Sequence, residues 1–568
     1  MQSRERTGGQ AIIDALIDQG VEIIFGYPGG AIMPTYDALH GAEKRIRHVL
    51  VRHEQGAAHA AEGYARVSGR VGVALVTSGP GATNLITGLM DALMDSTPIV
   101  CITGQVRSPL LGSDAFQESD VVGLTLAATK WSYQITDPSE IPEVIARAFE
   151  IAKSGRPGPV LIDVTRDAQA GPVAASGTGD IRHPVYQRNR YPRDRADLSG
   201  VDRAAALLNS ARRPLLFVGQ GVLISRAERK VLALAEKAGL PVASTLLGLS
   251  AVPADHPLNV GLLGMHGNYG PNVLTNEADV ILAVGMRFDD RVTGRLDDYA
   301  TGAKIIHVEI DPAEVNRNVR AEVRLIADAG EALDALLPLV KESRHPDWLA
   351  RFREHDAEEH ARVIAAELSP GTPELRMGEV MELISARTRG QAVIVSDVGQ
   401  HQMIAARHYR FRAPLSHITS GGLGTMGYAL PAAIGAALGA PDRQVIAVIG
   451  DGGFQMSMQE LGTLVQEDLP LKIVILNNQY LGMVRQWQEL FFDGRYAGVA
   501  MQNPDFVALC ASYGLPGTTV DAREDLPGAV ERMLETPGAF LLEVRVGKTD
   551  NVFPMIPAGA SVSEIRLE

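Results

Sequence analysis

A chain of 568 residues exceeds what one hydrophobic core supports, and ordinary domain sizes divide it into three or four. Hydrophobic residues make up 46% and charged residues 21%, the balance of a globular protein in water. The net charge of −14 argues against nucleic-acid and anionic-membrane partners, and two cysteines without a CxxC pair fit a reducing compartment.

The N-terminus, MQSRERTGG, has no apolar leader region, and no apolar run approaches a membrane span, so a cytoplasmic protein is expected. Residues 1–170 read as a first domain. TGGQAIIDALIDQG has helical periodicity up to Gly20, and VEIIF is a short buried strand running into Gly26-Tyr27-Pro28-Gly29-Gly30. Strand-like HVLVRHE follows, then a helix over residues 55–67, strand VGVALVTS, the turn Gly79-Pro80-Gly81, a helix from Ala82 and strand PIVCITG. Such alternation predicts a parallel sheet with helices on both faces.

Glu54 falls where an apolar strand gives way to an Ala-rich helix, in RHEQGAAHAAEGYAR. A helix dipole favours a carboxylate there, so an ordinary cap and a functional acid are both open. His53 and His59 stand six residues apart with no third ligand in the sequence, and metal is not expected on them. Residues 171–199, rich in Gly, Pro, Ser and charge, read as a linker.

The second domain spans 200–345. A helix over residues 201–208 leads to strand PLLFVG and Gly219-Gln220-Gly221, and two later strands lie in ADVILAVGMRFDDRVTG and KIIHVEIDPAEVN. An acidic residue at a strand end, here Glu309 or Asp311, holds a ribose hydroxyl in a Rossmann-like domain. Asp311-Pro312 equally suits a helix Ncap–N1 pair. The cluster Arg287-Phe288-Asp289-Asp290-Arg291 reads either as a surface ion-pair network or as a dinucleotide site whose arginines clamp phosphates. His266-Gly267 adds a second glycine-rich loop near the same sheet edge.

Residues 346–375, bearing Pro and charge, read as a second linker, and 376–568 as the third domain. That domain opens with AVIVSDVGQHQM, passes through SGGLGTMGY into helix LPAAIGAALGA, and reaches VIAVIGDGGF…LKIVILNN, a βαβ pattern. Asp451 and Asn478 lie 27 positions apart (478 − 451), and a right-handed crossover brings the two strand ends together. One carboxylate and one amide oxygen suit Mg²⁺, which keeps waters and completes its octahedron with ligand phosphates. Gly450, Gly452 and Gly453 let the backbone approach a diphosphate. The strand–GDG–helix–strand–NN order resembles the thiamine-diphosphate binding motif. Strand AFLLEVRV and the loop FPMIPAGAS close the chain.

With GYPGG, HEQGAAHAAEGYAR, RFDDRVTG, GGLGTMGY, GDGGF…LNN and MVRQWQ in one order, nearly all of residues 7–560 resembles the catalytic subunit of the acetohydroxyacid (acetolactate) synthases. The resemblance implies an α/β fold of three domains, each with a mainly parallel sheet flanked by helices. They would be pyrimidine-binding, Rossmann-like FAD-binding, and diphosphate- and Mg²⁺-binding. It further implies a homodimer or dimer of dimers with active sites between subunits, and a separate regulatory small subunit as a partner. The implied reaction decarboxylates pyruvate and joins the hydroxyethyl unit to pyruvate or 2-oxobutyrate, in valine, leucine and isoleucine biosynthesis.

Site residues carry over onto matching positions. Glu54 would contact N1′ of the aminopyrimidine and, with Gln117, form the catalytic pair, with burial keeping the protonated glutamate accessible. Asp451, Asn478 and the carbonyl of Tyr480 would hold Mg²⁺. Gln400 and His401 would face the diphosphate, Met426 beside Gly424 would support the bent cofactor, and Pro28, Gly482 and Met483 would complete its contacts. Arg156, His266, Gly267, Arg287, Asp289, Arg291, Glu309 and Asp328 match FAD contacts. Phe116 and Gln117 look like the substrate-side pair. Arg287 would bind the acceptor carboxylate, and Met483 and Trp487 the ethyl group of 2-oxobutyrate.

The chain departs from the family at Gln105-Val106-Arg107-Ser108-Pro109, where many members read QVP, and at Asp163-Val164-Thr165-Arg166-Asp167, where many read DLPKD. Both stretches flank the substrate channel in the family, so Arg107 and Arg166 bear on access and inhibitor sensitivity. A pyruvate oxidase shares the three-domain plan, but RFDDRVTG and MVRQWQ favour the synthase. A glyoxylate carboligase would lack Glu54, and a silent scaffold would not need Asp451 and Asn478.

Overall fold

The computed structural model describes residues 6–173 and 196–568. Three six-stranded sheets, parallel throughout, account for the three domains. Runs such as Val445–Gly450 and Lys472–Asn477 are buried at every residue, because helices cover both faces of each sheet. Each sheet therefore carries one apolar core on each side.

In the first domain the strands Ile23–Tyr27, Arg47–Leu50, Gly72–Val76, Ile99–Gln105, Trp131–Ile135 and Val160–Thr165 lie in the order second, first, third, fourth, sixth, fifth. The third domain repeats that order with Val393–Ser396, His417–Thr419, Val445–Gly450, Lys472–Asn477, Gly517–Val520 and Phe540–Arg545. No sequence repeat announces the shared topology, since right-handed crossovers require only apolar strands and helical spacing. The middle sheet runs third, second, first, fourth, fifth, sixth, the Rossmann order, from Pro214–Val218 to Val323–Ile326.

Two helices join the outer domains. Helix α1 (Glu54–Ser68) and helix α2 (Ala429–Gly439) cross on glycine and alanine faces. A Cβ at Gly63 would overlap the carbonyl of Ala432, and one at Gly435 the carbonyl of Ala60, so only glycine permits this approach.

The structure alters three local expectations. The stretch 346–375 is largely helical: Pro346–Glu359 continues through a π-type turn at His360–Ile364 into Ala365–Leu368. Most of its charges form the solvent face, while Trp348 and Phe352 pack into the middle domain and Glu359 is buried against Arg407. Asp311-Pro312 starts a turn and no helix, with Asp311 accepting from Ala313 N at 2.9 Å. In the first linker, Pro172–Val173 pairs with Arg6–Thr7, and residues 174–195 lie outside the described residues. Among the described residues no helix is long and apolar enough to cross a membrane.

Candidate active site

In open parallel sheets, ligands bind at the carboxyl ends of strands where the strand order reverses. All three domains place their polar strand ends at such points, and the candidate residues fall into two separate groups.

The first group sits on the first domain. The Pro28 loop rests on Thr77, whose hydroxyl accepts from Ala31 N at 3.3 Å. Glu54 opens α1, but His53 makes the cap, its Nδ1 accepting from Gln55 N at 3.1 Å. The carboxylate of Glu54 is thus left to Asn84, which donates to Oε2 at 2.8 Å, and to the side facing Gly81. It is half-buried, less than the sequence led one to expect. Gln117, at φ +61°, packs over Gly79, while Phe116 is 89% exposed.

Deeper in the same domain, His59 acquires the neighbours that the sequence did not reveal. Its Nδ1 lies 2.9 Å from Glu62 Oε1, and ligating atoms of His59, Glu62 and Asp91 fall within 4.8 Å of one another. Burial holds Glu62 well above the usual carboxylate range, raises Asp91 to about 7 and lowers His59 to about 3.

The second group lines a single cavity of about 990 Å³ between the middle and third domains, with Arg156 and Ser96 of the first domain at its rim. Strand β1 (Val445–Gly450) pairs with strand β2 (Lys472–Asn477), and Asp451 and Asn478 each follow the end of one. Asp451 is buried, which lifts its carboxyl to about 6, and it accepts from Asn503 Nδ2 at 2.6 Å. Asn478 Oδ1 accepts from Tyr480 N at 3.1 Å, and its Nδ2 donates to Gln400 Oε1 at 3.2 Å. Gln400 in turn donates to Gln486 Oε1 at 3.0 Å and to the carbonyl of Asp550 at 2.8 Å.

These residues fit a diphosphate and a hard cation. His401 is buried with Nε2 unpartnered, and burial keeps it neutral, its pKa lowered to about 3. A Cβ at Gly450 would meet the His401 ring at 2.7 Å, and one at Gly452 would meet Leu481 at 2.8 Å, so the cradle exists only with glycine. The donors toward a metal are oxygen alone, which suits Mg²⁺. Gly424 and Met426 line the cavity from the loop before α2, and Gly482, Met483 and Trp487 from helix α3 (Gly482–Phe491).

The middle domain supplies the other end of the cavity. Gly221 N bonds to Gly285 O at 2.9 Å at the reversal of strand order, and Arg287 follows. The ion-pair reading of the arginine cluster weakens here. Arg287 lies 3.9 Å from Asp289 and Arg291 3.8 Å from Asp290, so both guanidiniums keep donors for the cavity. Asp289 and Asp328 spend oxygens as helix caps, on Arg291 N at 3.1 Å and Gly330 N at 2.8 Å. Arg156 pairs with Glu314 at 3.1 Å, and burial raises Glu309 to about 7. His266 lines the cavity with Nδ1 unpartnered, whereas Gly267 turns away, its carbonyl accepting from Arg407 at 2.9 Å.

Pro28, Glu54, Phe116 and Gln117 do not line this cavity. Residues the sequence did not single out are Asn503, Gln486, Asp95 and Asp397. Asp397 carried a signal, being a polar residue directly after the apolar run VIVS, just as Asp451 follows VIAVIG.

Two outer domains of one topology, a Gly-Asp-Gly turn facing an Asn-Asn strand end, and a glutamate at the carboxyl end of the edge strand Arg47–Leu50 of the other sheet define a thiamine-diphosphate enzyme. Three family profiles agree: "Thiamine pyrophosphate enzyme, N-terminal TPP binding domain" over residues 6–124, "central domain" over 201–336 and "C-terminal TPP binding domain" over 397–544. The acetolactate synthase isozyme 2 large subunit of Escherichia coli K12 is 45% identical over 98% of this chain and 99% of its own length. The acetolactate synthase large subunit of Corynebacterium glutamicum is 43% identical over 99% and 90%, and chloroplastic acetolactate synthase 2 of Nicotiana tabacum 42% over 99% and 85%. The chain belongs to the family of acetolactate synthase large subunits.

Proposed function

We propose that the protein joins two 2-oxo acids with loss of CO₂. Pyruvate loses CO₂, and its two-carbon remainder is transferred to pyruvate, giving 2-acetolactate, or to 2-oxobutyrate, giving 2-aceto-2-hydroxybutyrate, in branched-chain amino-acid biosynthesis. The observation that carries the reading is the continuity of one cavity from the Asp451–Asn478 strand ends, past Trp487, to Arg287.

Thiamine diphosphate, when bound, supplies an acidic thiazolium carbon and an electron sink for decarboxylation. Asp451, Asn478 and the Tyr480 carbonyl hold Mg²⁺, while Gln400, the free Nε2 of His401 and the glycines at 450, 452 and 453 receive the diphosphate. Glu54 hydrogen-bonds the pyrimidine nitrogen N1′ and exchanges a proton there. Arg287 holds the acceptor carboxylate, and Met483 and Trp487 present an apolar wall to its alkyl group. At the middle-domain end His266, Arg287, Arg291 and Glu309 would hold FAD, whose role would be structural, since the overall reaction has no net redox change.

Glu54 and Gln117 lie apart from the cavity in one chain, so a second copy sets one first domain against the other's third domain. Exposed apolar side chains on both faces, Met33 and Phe116 on the first domain and Met456 and Phe492 on the third, suit burial in a homodimer or dimer of dimers. Relatives named as large subunits support a separate regulatory small subunit as partner. The reading places the enzyme in the cytoplasm, without nucleic-acid partners.

The test is incubation of purified protein with pyruvate, 2-oxobutyrate, thiamine diphosphate, Mg²⁺ and FAD, with products identified by mass spectrometry. 2-Acetolactate and 2-aceto-2-hydroxybutyrate are expected. Acetyl phosphate or acetate with oxygen uptake would instead make it a flavin oxidase.

A further inference from the structure

The loop Ser420-Gly421-Gly422-Leu423-Gly424-Thr425-Met426-Gly427-Tyr428 carries four glycines and no regular structure, yet it presents Met426 to the cavity. A chain so rich in glycine has little conformational preference of its own. Something else must fix it. Two buried carboxylates, neither part of the cavity lining, do so from opposite ends.

Asp95 reaches in from the first domain. Its Oδ2 accepts from Gly421 N at 2.8 Å and its Oδ1 from Gly422 N at 2.7 Å, while Arg66 balances its charge at 2.7 Å. Asp397, fully buried at the end of Val393–Ser396, accepts from Gly427 N at 3.0 Å through Oδ1 and from Ala429 N at 3.0 Å through Oδ2. Between them the Ser420 hydroxyl accepts from Gly424 N at 3.0 Å and Thr425 N at 2.8 Å. Met426 is therefore flanked on both sides by anchored residues, and a Cβ on Gly452 would lie 3.5 Å from its Cε. Asp397 also abuts the Gly-Asp-Gly turn itself, since a Cβ on Gly453 would lie 2.7 Å from its Oδ1.

We infer that Asp397 and Asp95 are positioning residues which set Met426 against the bound cofactor and hold the loop in register with the Gly-Asp-Gly turn. A carboxylate is required because each must accept two backbone N–H groups of the loop region with separate oxygens, and Asp397 Oδ1 accepts from Val398 N at 2.8 Å as well. An amide offers one oxygen and turns its NH₂ against the second N–H. Asp95 makes this register depend on the first domain as well, so docking of the outer domains and cofactor geometry are set by one contact. The inference rests on the reading that thiamine diphosphate binds here.

Asp397→Asn in the full-length protein tests it. The expected result is a tenfold or greater rise in the dissociation constant for thiamine diphosphate at fixed Mg²⁺, by isothermal titration, with FAD content unchanged. Exchange of the thiazolium C2 proton for deuterium in the saturated protein, read by acid quench and NMR, should slow at least tenfold. Met426→Ala should reproduce both effects, and the double variant should lose no more than Met426→Ala alone, because the carboxylate acts through that side chain. Should Asp397→Asn not fold, Asp95→Asn applies the same comparison from the other end of the loop. Additive losses in the double variant, or an unchanged exchange rate, would overturn the positioning role. Wild-type protein that binds no thiamine diphosphate would overturn the functional reading beneath it.

Discussion

Asn503 donates its side-chain amide to Asp451 Oδ2 at 2.6 Å, and the same nitrogen lies 2.9 Å from Asn477 Oδ1. Its own carbonyl is held by Gln455 Nε2 at 2.9 Å, so the amide is fixed from both sides. It therefore orients the expected metal-binding carboxylate and ties it to the neighbouring strand end. Groups that orient metal ligands are worth about 10–100-fold in metal affinity. Asn503→Ala is expected to raise the Mg²⁺ concentration for half-maximal thiamine-diphosphate binding by that factor, measured by tryptophan fluorescence. An unchanged midpoint would refute the role.

Glu54 is free for chemistry because His53 takes the cap. Glu54→Gln keeps the shape but cannot exchange a proton, and positioned proton transfer contributes about 10²–10⁴-fold. Product formation should fall by that order, while thiamine diphosphate and FAD remain bound in dialysed protein. Full activity in this variant would sink the mechanism.

Trp487 lines the cavity with its ring 5.1 Å from that of Phe491, which gives its position on α3 some rigidity. One methylene in an apolar pocket is worth about 1–3 kcal/mol, or 10–200-fold. Trp487→Leu should lower the ratio of 2-aceto-2-hydroxybutyrate to 2-acetolactate in a mixed-substrate assay by a factor within that span. A constant ratio would remove Trp487 from specificity.

The strand–turn–helix grammar around Asp451 was legible because a doubly covered parallel strand must be apolar throughout and can place polar residues only at its end. The Rossmann-like character of the middle domain was implied by the resemblance, while its strand order is a finding of the structure. That Glu54 and Asp451 stand apart within one chain was implied only by the resemblance, which puts active sites between subunits, since no local pattern encodes the docking of two domains. Asn503 was missed because a single polar residue in a loop carries no periodicity. Residues 346–375 read as a linker because an amphipathic helix with a short apolar stripe looks charged on average. The paired departures at Arg107 and Arg166 prove to be neighbours: Ser108 N donates to Asp167 Oδ1 at 2.9 Å, and both arginines face solvent.

His417 supplies a prediction about pH. Burial lowers its pKa to about 4, the positive field of Arg66 adds to this, and Nδ1 bonds the carbonyl of Leu246 at 3.1 Å. The unfolded chain takes up a proton near pH 6.5 that the folded chain refuses until about pH 4. Stability from this residue is thus complete above 6.5 and is lost as pH falls toward 4. His417→Phe keeps the ring packing against Phe411 and removes the titration. Between pH 7.5 and 5.5 the variant should lose about 1.4 kcal/mol less than wild type in urea unfolding, one unit of linkage. Parallel pH profiles would contradict this.

The sign of a glycine-to-alanine change should depend on what lies above the glycine. In an exposed helix the change gains about 0.8–1.0 kcal/mol in propensity. Gly528, in Leu526–Glu535, has nothing within 4 Å of a built Cβ, so Gly528→Ala should hold or raise the melting temperature. Gly63 lies on α1 where a Cβ would overlap the backbone carbonyl of Ala432. That oxygen cannot turn aside as a side chain could, because it belongs to α2, so the helices must part. Overpacking costs about 1–3 kcal/mol, which exceeds the propensity gain. Gly63→Ala should therefore lower the melting temperature, and because α1 and α2 join the two outer domains, it should weaken thiamine-diphosphate binding in the same sample. A melting temperature equal to or above wild type would show that the crossing is looser than its glycines imply.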